Sequence, residues 1–151
     1  MTRVSERGFT LIENMVALAI FAIGIMAIVF LLLNGIAISR TSHALTGAYV
    51  AMQDMVGMIR ADPRDAMLYN GVDTAPGSAY SAPSGGTGPG ANINSWASVL
   101  AQLPGYGSRG GGYGTITVAS VNGTKLCPCS ATVTVYWGRA NRYQVITDVA
   151  Y

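Results

Sequence analysis

The stretch from Met15 to Leu33 is the feature that most restricts what this chain can fold into. Its 19 residues include no charged or strongly polar side chain. As an α-helix rising 1.5 Å per residue it would be about 28 Å long, close to the ~30 Å hydrocarbon core of a bilayer. It is also longer than the apolar core of roughly 7–15 residues in an ordinary secretory signal peptide. We therefore predict a retained transmembrane helix.

The charges before this run predict its orientation. Arg3 and Arg7 precede it, offset only by Glu6, and the positive-inside rule keeps such an N-terminus in the cytoplasm. Residues after about 38 would then lie in the periplasm, where disulfides are permitted. The chain is 50% hydrophobic and 11% charged, and the part after residue 38 suffices for one small domain.

The helix is expected to continue beyond the membrane. Apolar residues recur there at spacings of three and four, at Leu45, Ala48, Met52, Met55 and Ile59. This period predicts an amphipathic helix with one apolar face. The Asp62-Pro63 pair ends it, because a residue before proline disfavours the α conformation. We predict a transmembrane helix over 9–38 and its amphipathic continuation over 39–62.

The remaining residues predict a loop, a short helix and a small sheet. Residues 63–112 are rich in glycine and proline, which indicates a long αβ-loop containing a short helix at 94–103. From residue 113 the apolar period becomes two, so 113–151 predicts an antiparallel meander. Its first turn would be the two-residue pair Asn122-Gly123, with the return strand starting near Lys125. The fold class is α+β: a long N-terminal helix with a small antiparallel sheet packed on its outer half.

Glu13 is an acid placed just inside the cytoplasmic end of the apolar segment. A carboxylate at membrane depth costs about 2.5–3.5 kcal/mol on insertion scales, so it requires a partner or access to the headgroups. Glu13 follows Phe9 by four residues, and the two therefore share a face of the helix. Taken alone, this acid would simply extend to the cytoplasmic headgroups.

The hexapeptide Gly8-Phe9-Thr10-Leu11-Ile12-Glu13, between a short basic leader and the apolar run, closely resembles the class III signal of type IV prepilins and pseudopilins. The resemblance implies that prepilin peptidase cleaves between Gly8 and Phe9, removes residues 1–8, and leaves a Phe9 amine that is then methylated. It also implies that Glu13 neutralises the amine of a neighbouring subunit during assembly. In an apolar bundle such a pair is favoured over two separate charges.

The rest of the chain is similar to minor pilins of the PilV kind, the type IV pilus modification proteins. The similarity lies in the long helix, the Gly/Pro-rich loop, the Leu103-Pro104-Gly105 end of the short helix, and the hairpin ending at Trp137. It implies a structural subunit of a type IV pilus that acts in assembly or initiation, in the tip or priming complex, with effects on adhesion and twitching motility. A major pilin is disfavoured, because the chain has no widely spaced cysteine pair.

The same resemblance implies the partners and the location. The partners would be other minor and major pilins, prepilin peptidase and the inner-membrane assembly platform. The protein would cross the inner membrane once, with its C-terminal domain in the periplasm, and then enter the extracellular pilus.

Three alternative functions stay open. A minor pseudopilin of a type II secretion system shares the N-terminal signal. A DNA-binding minor pilin would use Arg109, Arg139 and Arg142, although one lysine and no basic cluster argue against nucleic acid as a partner. A membrane-anchored thiol oxidoreductase would use the cysteines, but their one-residue spacing is not that of a thioredoxin-type site. Because no catalytic set or metal-ligand cluster is found, we predict no enzyme activity, no cofactor and no metal.

The segment Cys127-Pro128-Cys129 allows three interpretations: a local disulfide, two free thiols, or a bond to another subunit. In a regular strand the Cβ atoms of residues i and i+2 lie about 7 Å apart, well beyond the ~3.8 Å of a disulfide. A local bond therefore requires a sharp bend at Pro128. We favour the local bond.

Overall fold

A computed structural model describes residues 10–80, 87–106, 110–121, 123 and 127–150. The chain divides into two units, residues 1–41 and 42–151, and helix α1 (Leu11–Ala61) contributes to both. The second unit also contains a 3-10 helix (Ala66–Tyr69), helix α2 (Pro89–Leu100), and strands β1 (Val72–Asp73), β2 (Tyr113–Ser120), β3 (Cys129–Trp137) and β4 (Asn141–Val149). This combination confirms the predicted α+β class.

The first unit consists, in its described part, of the N-terminal portion of α1. Every residue from 10 to 41 is exposed, although most of them are aliphatic or aromatic. The helix has no proline before Pro63, and it ends at Ala61, directly before the Asp62-Pro63 pair. A helix that is apolar on all sides is stable only when lipid or other protein surrounds it.

In the second unit, one face of α1 enters the core. Ala48, Met52, Met55 and Ile59 are fully buried, as the sequence period predicted. The assignment of Leu45 to this face is corrected, because its side chain is 51% exposed. Leu45 instead borders an open recess that it lines together with Tyr143 of β4. Three further residues complete the buried face: Ala44, Ala51 and Val56.

The four strands form an antiparallel sheet in the order β1-β2-β3-β4. The sequence did not predict β1, because two residues are too few for an alternating pattern. Neighbouring side chains extend its pairing with β2 at both ends. Asn70 Oδ1 accepts a hydrogen bond from the Val118 amide at 2.9 Å, and Thr74 Oγ1 accepts one from the Gly114 amide at 2.8 Å.

The connection from β2 to β3 differs from the predicted two-residue turn. That turn would place Ser120 opposite Lys125, whereas the register places Ser120 opposite Cys129. The Val121 amide donates to the Pro128 carbonyl oxygen at 3.1 Å, so the connection is longer. The two registers differ by an even number of residues, and the predicted inner and outer faces are therefore kept. Asn122 and Lys125 lie outside the described residues.

Helix α2 corrects the prediction of a helix at 94–103. It begins at Pro89, five residues earlier, and ends at Leu100. Proline is favoured in the first turn of a helix, because its missing N–H would have no partner there and its φ angle is already helical. The Gly88-Pro89-Gly90 sequence indicated a loop, but Gly90 and Ile93 are both buried. Tertiary packing therefore outweighed the local signal.

Trp96 joins α2, α1 and the sheet. It is 3% exposed, and its Nε1 donates to the Ala51 carbonyl oxygen of α1 at 2.9 Å. On the sheet, Gly114 lies so close to the indole ring that a Cβ at this position would lie 2.7 Å from Trp96 Cζ2. The ring therefore fits only because residue 114 has no side chain.

A cluster of three tyrosines lies at one end of the sheet. Tyr113 and Tyr136, which are partners in the register of β2 and β3, stack with centroids 4.6 Å apart. Tyr106 contacts both rings edge-on. Such edge-to-face contacts between rings are a preferred arrangement of aromatic side chains. They hold the segment after α2 against the sheet.

Candidate assembly segment

The N-terminal residues of the predicted signal are only partly within the described chain. Gly8 and Phe9, the predicted cleavage and methylation residues, lie outside it. Glu13 lies in the first turn of α1 and is exposed, and its backbone amide donates to the Thr10 carbonyl oxygen at 3.1 Å. A carboxylate in the first turn also interacts favourably with the positive end of the helix dipole.

The surface that follows Glu13 is apolar on every side. Phe21, Phe30 and Leu31 are each at least 66% exposed. By length and composition, α1 is the one described helix that could cross a membrane, with a mean hydropathy of 3.1 over its most apolar 18 residues, none of them buried. This property alone is also found in signal sequences, so the functional assignment requires the residues before it.

A comparison with protein families matches residues 3–29 to the family described as "Prokaryotic N-terminal methylation motif". The chain carries an N-terminal methylation motif. The matched range includes Gly8, Phe9 and Glu13 together with residues 15–29 of the apolar run. This motif is typical of type IV pilins and pseudopilins, and it implies processing by prepilin peptidase and assembly with other pilins.

The other two comparisons contribute no relative. Neither the search of curated proteins nor the search of solved structures found a match.

The methylation motif and the exposed apolar helix together fit anchoring in the inner membrane. They also point to a structural protein rather than an enzyme.

The two cysteines are joined to each other in the structure. Cys127 and Cys129 form a disulfide, and their Cα atoms lie 4.4 Å apart, closer than residues i and i+2 of a regular strand. The two Cα atoms can lie this close because β3 begins only at Cys129, so Cys127 belongs to the preceding loop. Both cysteines are at most 4% exposed. A thiol substrate of the oxidoreductase alternative would therefore reach them only after local opening.

The arginines of the DNA-binding alternative are not brought together into one described site. Arg139 lies in the turn between β3 and β4, and Arg142 lies in β4 opposite Tyr136. Both are exposed. Arg109 lies outside the described residues. Two exposed arginines do not form the basic stripe that phosphate binding requires.

A recess of about 200 Å³ lies between the β1 segment and α2 and includes Asp73, Ser78 and Tyr80. Two of its polar side chains form hydrogen bonds with the nearby backbone. Asp73 Oδ1 accepts from the Ala75 amide at 2.9 Å, and Ser78 Oγ donates to the Asp73 carbonyl oxygen at 2.6 Å. Burial raises the pKa of Tyr80, whose hydroxyl has no partner within the described part of the chain. The hydrogen bonds of Asp73 and Ser78 therefore stabilise the local turn. Among the described residues, no group of three or more His, Cys, Asp or Glu side chains could hold a metal ion.

A second recess, of about 320 Å³, lies on the surface of the second unit. It is lined by Leu45, Thr46, Tyr49 and Tyr143. Sequence reasoning missed it, because Leu45 has the period of a core residue and Tyr143 lies nearly a hundred residues away in the chain. The spacing of four between Leu45 and Tyr49 shows that they share a helix face, but nothing local indicates that β4 leaves this face partly open.

Proposed function

We propose that this protein is a minor pilin, a structural subunit that takes part in the assembly or initiation of a type IV pilus. The observation that carries the proposal is the methylation motif at the start of an apolar helical segment whose residues up to 41 are all exposed. Lipid can cover this helix before assembly, and the helices of other subunits can cover it in a fibre. The compact α+β unit after residue 41 would remain outside the membrane. A place in the tip or priming complex, as in minor pilins of the PilV kind, is part of the proposal.

Processing would change the N-terminus before assembly. Prepilin peptidase would cut between Gly8 and Phe9 on the cytoplasmic face, and the new Phe9 amine would be methylated. Glycine suits the position before the cut, because it lets an extended backbone approach the protease closely. Glu13 would then pair with the amine of a neighbouring subunit.

Mass spectrometry of the mature N-terminus tests this proposal. In cells with prepilin peptidase we expect a chain that begins with methylated Phe9, and in cells without the enzyme a chain that keeps the leader. Gly8→Val is the matched control, since a β-branched residue before the cut should leave the leader in place. A wild-type chain that still begins at Met1 in peptidase-positive cells would refute the proposal.

The role of Glu13 is tested separately from cleavage. Glu13→Gln keeps the shape of the side chain but removes the charge that would neutralise the amine. We expect normal cleavage and methylation, with a clear loss of the protein from purified pili. Asn14→Ala, which changes the adjacent polar residue, is the control and should assemble normally. Equal incorporation of Glu13→Gln and wild type would exclude the pairing role.

A minor pseudopilin of a type II secretion system is the alternative that shares the same motif. The two functions differ in where the mature subunit is found. We expect the protein in pili sheared from the cell surface, and expect its deletion to reduce surface piliation. Normal piliation combined with a loss of protein secretion would favour the pseudopilin.

A further inference from the structure

The recess lined by Leu45, Thr46, Tyr49 and Tyr143 is an incompletely covered part of the second unit. Leu45 and Tyr49 are 51% and 48% exposed, and Tyr143 of β4 is 39% exposed. The rings of Tyr49 and Tyr143 meet edge-to-face, with centroids 6.1 Å apart and planes at 77°. The recess therefore has one wall on α1 and another on β4, and the Tyr49–Tyr143 ring contact joins the two walls.

The chemistry of this recess is apolar and uncharged. None of the four lining residues carries a charge. Thr46 contributes a hydroxyl, but Thr46 Oγ1 already donates to the Ser42 carbonyl oxygen of the same helix at 3.0 Å. Tyrosine is also among the residues that most often dominate the energy of protein interfaces. A partner that fits this recess must present uncharged aliphatic or aromatic side chains.

We infer that this recess receives the apolar N-terminal helix of a neighbouring subunit that carries the same methylation motif. The inference rests on the proposed function and names a partner for it. This chain shows what such a helix presents: residues 15–33 have no charge, and all of them are exposed. A neutral helix matches a neutral recess without leaving a charge unpaired.

The recess is large enough to hold side chains of a partner helix but not the whole helix. A volume of about 320 Å³ equals roughly ten water molecules in the liquid. Leu, Ile or Phe side chains projecting from a helix would replace that water with apolar contacts, and this burial is favourable. The helix itself would lie along the opening between α1 and β4.

Site-specific photocrosslinking in piliated cells tests this inference. A photoreactive phenylalanine analogue replaces Tyr143 in one full-length variant and Ile146 in the matched control. Ile146 is 65% exposed on the same strand, three residues away and on the opposite face. We expect an adduct from position 143 whose partner peptide lies in the apolar N-terminal helix of a pilin-like subunit. An adduct with lipid, with a globular domain, or equally from both positions would overturn the inference.

A charge substitution gives a second, independent measurement. Leu45→Glu places a carboxylate in a half-exposed position, so the second unit should still fold. We expect about thirtyfold less of this variant in sheared pili, the loss that corresponds to an interface hot spot, and an unchanged amount of Ile146→Glu. Equal incorporation of the two variants would contradict the docking role.

The same strains separate this inference from the proposed function. N-terminal processing and membrane levels are measured beside incorporation into pili. If the wild-type protein is processed and enters pili but Tyr143 gives no helix adduct, the recess inference alone fails. If the wild-type protein keeps its leader or never enters pili, the proposed function fails and the inference fails with it.

Discussion

Replacing Gly114 by alanine tests the packing that joins the sheet to both helices. The added Cβ would lie 2.7 Å from Cζ2 and 2.9 Å from Cζ3 of the Trp96 ring. Ordinary van der Waals contacts between carbon atoms lie at about 3.5–4.0 Å. The backbone of Gly114 has no positive φ, so the conflict is purely a steric one between this Cβ and the ring.

The ring cannot move away without a loss. Trp96 is 3% exposed, and its Nε1 is held by the Ala51 carbonyl oxygen. A shift of the ring would weaken a hydrogen bond with a net contribution of about 0.5–1.5 kcal/mol. Overpacking in a dense core costs about 1–3 kcal/mol, and the smaller entropy of alanine in the unfolded chain offsets about 0.4–1 kcal/mol of this cost. We expect Gly114→Ala to lower the free energy of unfolding by about 1–2 kcal/mol.

The assay is thermal unfolding of the full-length protein in detergent, followed by tryptophan fluorescence. Both tryptophans, Trp96 and Trp137, lie in the second unit, so the signal is insensitive to the apolar helix in the micelle. The expected loss corresponds to a Tm lower by roughly 5–10 °C. Gly57→Ala is the matched control: Gly57 lies in α1 with nothing within 4 Å of the added Cβ. This change should raise stability by up to about 1 kcal/mol.

A double-mutant cycle identifies the cause of the effect. In a Trp96→Leu background the six-membered ring is absent, so Gly114→Ala should lose most of its cost there. The two substitutions should therefore be strongly non-additive, as expected for groups in direct contact. Additive effects, or a Gly114→Ala variant as stable as the wild type, would refute the steric reasoning.

Two further substitutions test buried hydroxyl groups. The pKa of Tyr69 is raised because burial disfavours the phenolate and Asp62 and Asp65 lie nearby, although a hydrogen bond from Asn92 opposes the shift. Above pH 10 the unfolded chain releases a proton that the folded chain keeps, so stability falls as the pH rises, by at most about 1.4 kcal/mol per pH unit. Urea unfolding of Tyr69→Phe should show a shallower alkaline decline, and an unchanged decline would disprove this role. Thr147 is 3% exposed, and its hydroxyl has no partner among the described residues, so Thr147→Val should raise the free energy of unfolding by about 1 kcal/mol; a destabilised variant would contradict it.

Features that depend on neighbouring residues in the chain could be predicted from the sequence. The apolar run, its basic leader and the Gly8 to Glu13 signal are local patterns, and the family comparison matches the same segment. The end of α1 at Ala61 also follows from a local cause, because the steric effect of Pro63 acts on the residue before it. The alternating strands from residue 113 onward predicted the faces of the sheet, because side chains alternate in any strand.

Features that depend on residues distant in the chain needed the tertiary structure. Leu45 has the helical period of the core, yet it is 51% exposed because it borders a recess that the packing of α1 and β4 leaves open. The early start of α2 and the two-residue strand β1 exist because the core and β2 supply contacts that no local window contains.

The features of the candidate site also fall into these two groups, those that follow from the local sequence and those that need the tertiary structure. The assembly segment was determined by the sequence itself, because its motif and its apolar run are continuous stretches of chain. The recess was decided by the fold alone, because it forms only where Tyr143 of β4 meets Tyr49 of α1. Patterns at separations of three or four residues report which face of an element is apolar. What covers that face depends on how distant elements pack, and only the folded chain decides it.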